Sequence, residues 1–256
     1  HPYVVVAPSY MVYSIDFDQF IHTHIESGAD VTMLYHAVDN AKEAYLTRNI
    51  LELNRQKGVE SIGANHGNKK NQNIYMDTCV MKTELFISLI KEAKKLSSMY
   101  TLADILKANC GTLDIRGVAH KGFFASITDF PSYYDANMNL LDYKAAQELF
   151  HDNWPIYTRT NDSCPTQYFD TAEVKNSVIS NGCQIEGTVE NSVIGRGCVI
   201  KKGAVVKDSI ISSNVLIGEN VKLTGTVVDR DASVIHANEI EGSIDNPMYI
   251  ARGDIV

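Results

Sequence analysis

The sequence predicts two domains in series. These are a layered α/β sheet domain over residues 1–150 and a triangular parallel β-helix over residues 173–256, joined by a linker over 151–172. Three observations predict this order. Apolar β-type runs alternate with amphipathic helical patterns through the first half. Asn161-Asp-Ser-Cys-Pro165 is loop chemistry. After Glu173 the aliphatic residues recur at an offset of 17 residues.

In chain order, Val4–Ala7 reads as a strand and Asp16–Ser27 as an amphipathic helix, with Phe17, Phe20, Ile21, His24 and Ile25 near one another. Gly28 supplies the turn before a strand over Asp30–Tyr35. The polar, Gly/Asn/Lys-rich stretch 63–73 reads as a flexible loop. A strand at Ile74–Met76 follows, then a helix over Lys82–Leu96, a short helix over Leu102–Lys107 and a strand near Leu113–Ala119. Tyr134–Phe150 reads as one helix leading out of the domain. In sheets of this kind ligands sit beyond the carboxyl ends of the strands.

The second half is a hexapeptide repeat. Ile194, Ile211 and Val228 are 17 residues apart, as are Val189, Val206 and Leu223, and Ile200, Ile217 and Val234. Within one period the aliphatics step by 6, 6 and 5, the spacing of a three-sided coil with one short side. Gly195, Gly197, Asn214, Gly218 and Asn220 are placed to make the corners. Cys183 and Cys198 fall at inward positions as small core residues. A coil buries its aliphatics only against the next coil, so the module must be several coils long. Its flat faces and open ends favour self-association. Hexapeptide acyltransferases place a catalytic His on such a solenoid, but here no coil holds one before His236.

The 256 residues carry a net charge of −8, which argues against a nucleic-acid or anionic-membrane partner. The five cysteines contain no CxxC pair, as expected of reduced thiols in a cytoplasmic protein. No apolar run has the length of a membrane span. The chain opens His1-Pro2 and enters the strand signal Val4-Val-Val6 at once, so a fragment of a longer protein is expected.

Gly122-Phe-Phe-Ala-Ser126-Ile-Thr-Asp-Phe-Pro-Ser132-Tyr-Tyr-Asp-Ala-Asn-Met138 carries the most specific motif. With Trp154-Pro-Ile-Tyr157 it resembles the glucose-1-phosphate adenylyltransferases, whose pattern reads Gly-Tyr-Trp-Arg-Asp-Val-Gly-Thr before the shared Ser-Tyr-Tyr-x-Ala-Asn-Met. The resemblance covers nearly all of the chain. It implies part of a Rossmann-like nucleotidyltransferase domain followed by a left-handed parallel β-helix. It also implies a reaction joining glucose 1-phosphate to the α-phosphorus of ATP with loss of pyrophosphate. Both reactants are anions, so the family uses magnesium held by two Asp residues.

Residue by residue, the resemblance implies a scaffold without that chemistry. Ser126 stands at one metal Asp, with Ala125 in place of the Arg before it. Tyr13 and Asp16 align with the family's Gly-Asp-His-x-Tyr-x-x-Asp. That alignment sets Ser9, Tyr10 and Met11 at Gly-Asp-His, with Tyr10 at the other metal Asp. Asn65 is nearest to the Lys that grips the sugar phosphate. Ile74 and Tyr75 survive from one strand motif, and Asp104 from another whose first Asp is replaced at Tyr100; Phe124 replaces a Trp. The residual pocket candidates are therefore Ser9, Asn65, Tyr75, Asp104 and Phe124. No metal or cofactor is expected here, magnesium belonging to catalytic relatives alone. The family's Gly-rich phosphate loop would belong before His1.

This combination is similar to the GlgD-type branch of the family, which implies a regulatory subunit with little activity of its own. Its expected partner is a catalytic glucose-1-phosphate adenylyltransferase subunit in a heterotetramer, with a nucleotide or sugar-phosphate effector. Two alternatives stand beside it: an active enzyme with a displaced metal site on Asp16 and Asp129, and a β-helix scaffold without a ligand site. Of the remaining residues, His22 and His24 point to different faces of a helix and are not expected to share a metal. Lys69-Lys70 is expected to be a solvated loop pair, and Arg252-Gly-Asp254 a chance match.

Overall fold

Period-two alternation of apolar side chains, buried on both faces, builds the first sheet. The computed structural model describes residues 1–96, 101–158 and 160–256. Its first eight strands are β1 (Tyr3–Val6), β2 (Met11–Tyr13), β3 (Val31–Val38), β4 (Asn49–Leu53), β5 (Val59–Ala64), β6 (Gln72–Lys82), β7 (Ile115–His120) and β8 (Phe124–Ser126). Helices α1 (Phe17–Ser27), α2 (Thr83–Leu96) and α3 (Leu102–Ala108) lie among them. The main sheet runs β5-β4-β6-β3-β7, and β1 pairs with β6 as well. Only β3 and β7 are parallel neighbours among these pairings. Val31, Met33, Tyr75, Cys79 and Met81 join a core with Leu89, Ile105 and Leu106. Leu34, Ile74, Met76 and Val80 join another with Phe20. β2 and β8 form a ladder of their own.

Three sequence expectations need correction in this unit, which spans His1–Ser126. The hairpin of β4 and β5 was not expected, because Glu52, Glu60 and Ser61 dilute its apolar pattern. The expected loop over 63–73 shrinks at both ends, since β5 reaches Ala64 and β6 begins at Gln72. The strand expected at Ile74–Met76 is eleven residues long. Its apolar run is interrupted by Asp77 and Thr78, where β6 bulges: Met33 pairs with Cys79 but Tyr35 with Tyr75, so Leu34 alone faces the residues between.

The second unit spans Ile127–Val256. It opens with α4 (Phe130–Asn139) and α5 (Tyr143–Leu149), so residues 134–150 are two helices and not one. Asp129 and Ser132 form a capping box that starts α4. The carboxylate of Asp142 accepts from the amides of Lys144 and Ala145 at 2.7 and 3.2 Å, which starts α5 and breaks the chain between them. Tyr134 packs on Ile210 and Val227 of the β-helix, and its hydroxyl donates to the carbonyl of Asp208. The boundary therefore falls after Ser126, earlier than the expected residue 150.

Three five-stranded parallel sheets form the β-helix. All three sequence columns pair in register: Ile194 with Ile211 and Val228, Val189 with Val206 and Leu223, Ile200 with Ile217 and Val234. The first rung, Gln167–Tyr168, lies inside the expected linker and pairs with Gln184–Ile185. One corner repeats left-handed backbone at Asn176, Asn191, Asp208 and Gly225, with φ between 44° and 55°. Asn and Asp tolerate this conformation better than other side chains. At Gly225 a Cβ would also meet the backbone of Gly242 at 2.7 Å. Among the described residues no helix is long and apolar enough to cross a membrane.

Just inside that corner runs a ladder of hydroxyls. The Oγ of Ser177 accepts from Ser192 N–H, that of Ser192 from Ser209 N–H, and that of Ser209 from Thr226 N–H, each at 3.1 Å. Each hydroxyl donates in turn to the carbonyl two residues before it, at 2.6 to 3.0 Å. Ser192, Ser209 and Thr226 are fully buried, so a broken rung leaves buried polar groups unpaired. Ser209→Ala should cost about 1–3 kcal/mol, measured as a lower urea midpoint of the β-helix transition at unchanged m-value. Serine-like stability in this variant would show that the ladder is dispensable.

Candidate functional site

The ladder of β2 and β8 pairs Met11 with Ser126, Val12 with Ala125 and Tyr13 with Phe124. Tyr10 precedes Met11, so the two positions at which the family pattern has an Asp lie close together at one end of the ladder. Ser126 is 9% exposed, and its Oγ has no partner among the described residues. The Tyr10 hydroxyl donates to the carboxylate of Asp77 in the β6 bulge. The Tyr13 hydroxyl lies 2.6 Å from Thr78 Oγ1, so Tyr13 of β2 and Tyr10 just before that strand are both clipped to neighbouring residues of the bulge. The Arg48 guanidinium stands over the Tyr10 ring, 5.5 Å from its centre. Burial, reinforced by Asp77, pushes the Tyr10 phenol up to about 12, against the opposing charge of Arg48. Tyr10 is thus a neutral donor at ordinary pH.

The remaining candidates divide in two groups. Tyr75 and Asp77 line a cleft of about 310 Å³ with Pro8, Asn49, Thr101 and Leu102. Burial raises the Tyr75 phenol well above its ordinary value. Phe124 does not line that cleft: it is buried in the core with Leu34 and Ile74, between Tyr45, stacked at 5.6 Å, and His36 at 5.0 Å. Ser9 is exposed. Asn65 is 1% exposed and acts as a staple. Its amide donates to the carbonyls of Ala41, Ala44 and Tyr45 at 2.8, 3.2 and 3.0 Å, and its Oδ1 accepts from Gly67 N–H at 3.0 Å. Asp104 accepts from Thr101 N–H at 2.9 Å and from its hydroxyl at 2.6 Å, bonds that cap α3 and lower its carboxyl. Tyr100 lies outside the described residues.

The other singled-out residues have structural partners. His24 is buried, with Nδ1 at 2.8 Å from Thr32 Oγ1, while His22 of the same helix is exposed. Asp16 caps α1, accepting from Gln19 N–H at 3.0 Å, and Asp129 caps α4, accepting from Ser132 N–H at 2.8 Å. Lys69 pairs with Glu52 at 3.7 Å and Arg252 with Asp231 at 3.0 Å. Cys183 and Cys198 are buried.

Magnesium requires hard oxygen ligands, above all carboxylates, around an open octahedral position. Here the chain offers a protonated phenol, a buried serine hydroxyl and one carboxylate already engaged by Tyr10. Among the described residues no group of three His, Cys, Asp or Glu is placed to hold a metal. These residues do not fit the ion.

Sequence reasoning missed Arg48, Asp77 and the pair His36–His120. The histidines could have been found, since each directly follows an expected strand, at Tyr35 and Ala119. Their Nδ1 atoms are 3.1 Å apart, and His120 Nε2 lies 3.0 Å from the carbonyl of Ser14. Burial, then the neighbouring His120, pushes His36 down to about 4; burial lowers His120 also.

The chain thus joins an α/β unit carrying this ladder to a hexapeptide β-helix. Residues 165–245 match the family described as GlmU-like, C-terminal hexapeptide. The chain is 33% identical to the glycogen biosynthesis protein GlgD of Geobacillus stearothermophilus, over 80% of its own length and 49% of that protein. It is 30% identical to the glucose-1-phosphate adenylyltransferase of Fervidobacterium nodosum, over 91% of its own length and 56% of the relative. Against GlgD of Bacillus subtilis the identity is 27%, over 98% and 63%. The chain is a relative of the glucose-1-phosphate adenylyltransferases and of GlgD, and it spans about half to two thirds of the length of these proteins.

The His36 shift fixes a pH dependence. Between pH 6.5 and about 4 the unfolded chain binds a proton at His36 that the folded chain does not. This contribution to stability is complete above 6.5 and is lost as pH falls towards 4. His36→Gln removes the titrating ring, so its unfolding midpoint should fall less than the wild-type midpoint between pH 7 and 5 in urea titrations. Equal falls would contradict the assignment.

Proposed function

We propose that this chain is part of a regulatory subunit of a glucose-1-phosphate adenylyltransferase, acting in glycogen synthesis with little or no turnover of its own. The observation that carries this reading is Tyr10. Where the family pattern places a metal carboxylate, the chain has a neutral phenol whose hydrogen bond occupies the nearby carboxylate of Asp77. Ser126 supplies no charge at the other position. Removing one metal ligand from such a reaction could cost several kcal/mol of transition-state stabilisation, and each ~1.4 kcal/mol is a factor of ten in rate. Asn65, nearest to the phosphate-gripping Lys, is buried and spends its amide on backbone carbonyls. Similarity to two GlgD glycogen biosynthesis proteins supports the role in glycogen synthesis.

The β-helix supports the second half of the proposal. Its columns and corners keep their register through successive coils, which preserves broad sheet faces for assembly with a catalytic subunit in a heterotetramer. The cleft at Tyr75 and Asp77 is offered as the place for a sugar-phosphate or nucleotide effector. The full-length protein, assayed for ADP-glucose synthesis, should show little activity alone and should change the rate or effector response of the catalytic subunit when the two are mixed. Robust turnover by the full-length protein alone would overturn the proposal.

A further inference from the structure

Cys183 and Cys198 occupy one inward column of the β-helix, in successive coils. Each directly precedes a strand of the same sheet, Gln184–Ile185 and Val199–Ile200, and these strands pair in register. Gln184 N–H donates to the carbonyl of Cys198 at 2.9 Å. The two cysteines are therefore stacked one strand spacing apart, about 4.8 Å, within the span of about 4.4–6.8 Å between Cα atoms that a disulfide bridges. The 17-residue period hides this stack, because the coil between them is two residues shorter. It turns from Ile185 to Thr188 where the next coil turns from Ile200 to Val205. Both side chains are buried in one core cluster. The sulfur of Cys183 leans towards the coil that carries Cys198, 3.0 Å from the carbonyl of Gly195. Hydrogen bonding between the thiols holds Cys183 below the usual cysteine range and Cys198 above it, so Cys183 ionises first. Gln167–Tyr168 is the terminal strand of the sheet, and both of its residues are exposed. A rung of this kind opens locally at low cost.

We propose that Cys183 and Cys198 are an oxidation site, closing to a disulfide that staples one coil of the β-helix to the next when the protein meets a peroxide. The Cys183 thiolate attacks a peroxide oxygen and becomes a sulfenic acid, and the other oxygen leaves as water. The Cys198 thiol then attacks that sulfur, the S–S bond forms and a second water leaves. Two thiols are oxidised and one hydrogen peroxide is reduced, giving one disulfide and two waters. A thiol reductant reverses the bond by exchange. The oxidant reaches the column when the terminal rung opens. Because the two cysteines enclose one whole coil, the bond holds that coil closed and removes freedom from the unfolded chain. Cys164 is exposed and lies outside the column, so it oxidises independently. The inference concerns the stability of the β-helix and goes beyond the regulatory reading, which it does not require.

The test treats the reduced full-length protein with hydrogen peroxide, alkylates the remaining thiols and digests it with trypsin under non-reducing conditions. Arg196 separates the two cysteines in sequence, so peptides 176–196 and 197–201 should appear joined in mass spectra. The oxidised β-helix should unfold at a urea midpoint about 1 M higher than the reduced one, and dithiothreitol should remove the difference. Cys183→Ala and Cys198→Val should each abolish the joined peptides and the shift. Val215 and Ala232 hold the same buried position in later coils, so these side chains suit the column. Cys164→Ser should leave both effects in place. Three results would overturn the inference: no joined peptides at a peroxide dose that oxidises Cys164, Cys183 joined to Cys164 instead, or joined peptides with an unchanged midpoint.

Discussion

The bulge in β6 is the constraint on which the first unit depends. β1 pairs with β6 over Cys79–Lys82, and β4 meets it at Ile74, so residues 75–78 are left between two partners on that edge. The excess residues are accommodated by turning Asp77 to a φ of 47°, a conformation that Asp adopts at lower cost than most residues. That turn aims Asp77 and Thr78 at β2, where Tyr10 and Tyr13 receive them. The short β2–β8 ladder is thereby tied to the main sheet by two tyrosine hydroxyls. The position expected to hold a metal carboxylate instead contributes a structural hydrogen bond.

The Tyr10–Asp77 bond keeps this corner of the fold closed with a single carboxylate. Two carboxylates facing each other without a cation would repel, whereas a phenol and a carboxylate satisfy each other. Arg48 over the Tyr10 ring adds a cation to the same corner, and Asn65 holds the loop from which Arg48 extends by binding three of its carbonyls. The β-helix is stabilised by other means. Stacked aliphatics fill each coil, and a buried hydroxyl ladder satisfies the amides at one corner. The chemistry of the first unit could change while the register of the second stayed intact.

The fold was legible in the sequence where one pattern governs many residues. Each β-helix coil reuses the same inward positions, so a 17-residue offset in aliphatics specifies strand pairing directly. The first sheet was harder to read, because β4 and β5 mix charged and apolar residues, and the bulge splits the apolar run of β6. The break between α4 and α5 rests on one carboxylate, Asp142, within an otherwise helical pattern. At the site, Tyr10 and Ser126 could be located by motif, but their surroundings could not. Asp77, Arg48 and the two histidines come together only through long-range pairing, which no local spacing reveals.

The central claim is that Tyr10 and Asp77 close the position of a metal ligand and leave no divalent-cation site there. Titration of the full-length protein with Mn²⁺, followed by electron paramagnetic resonance and repeated with Asp77→Asn, addresses it most directly. Metal binding should be the same in both proteins, because the Asp77 carboxylate is already engaged by the phenol. A tight Mn²⁺ site present in the wild type and lost in Asp77→Asn would contradict it.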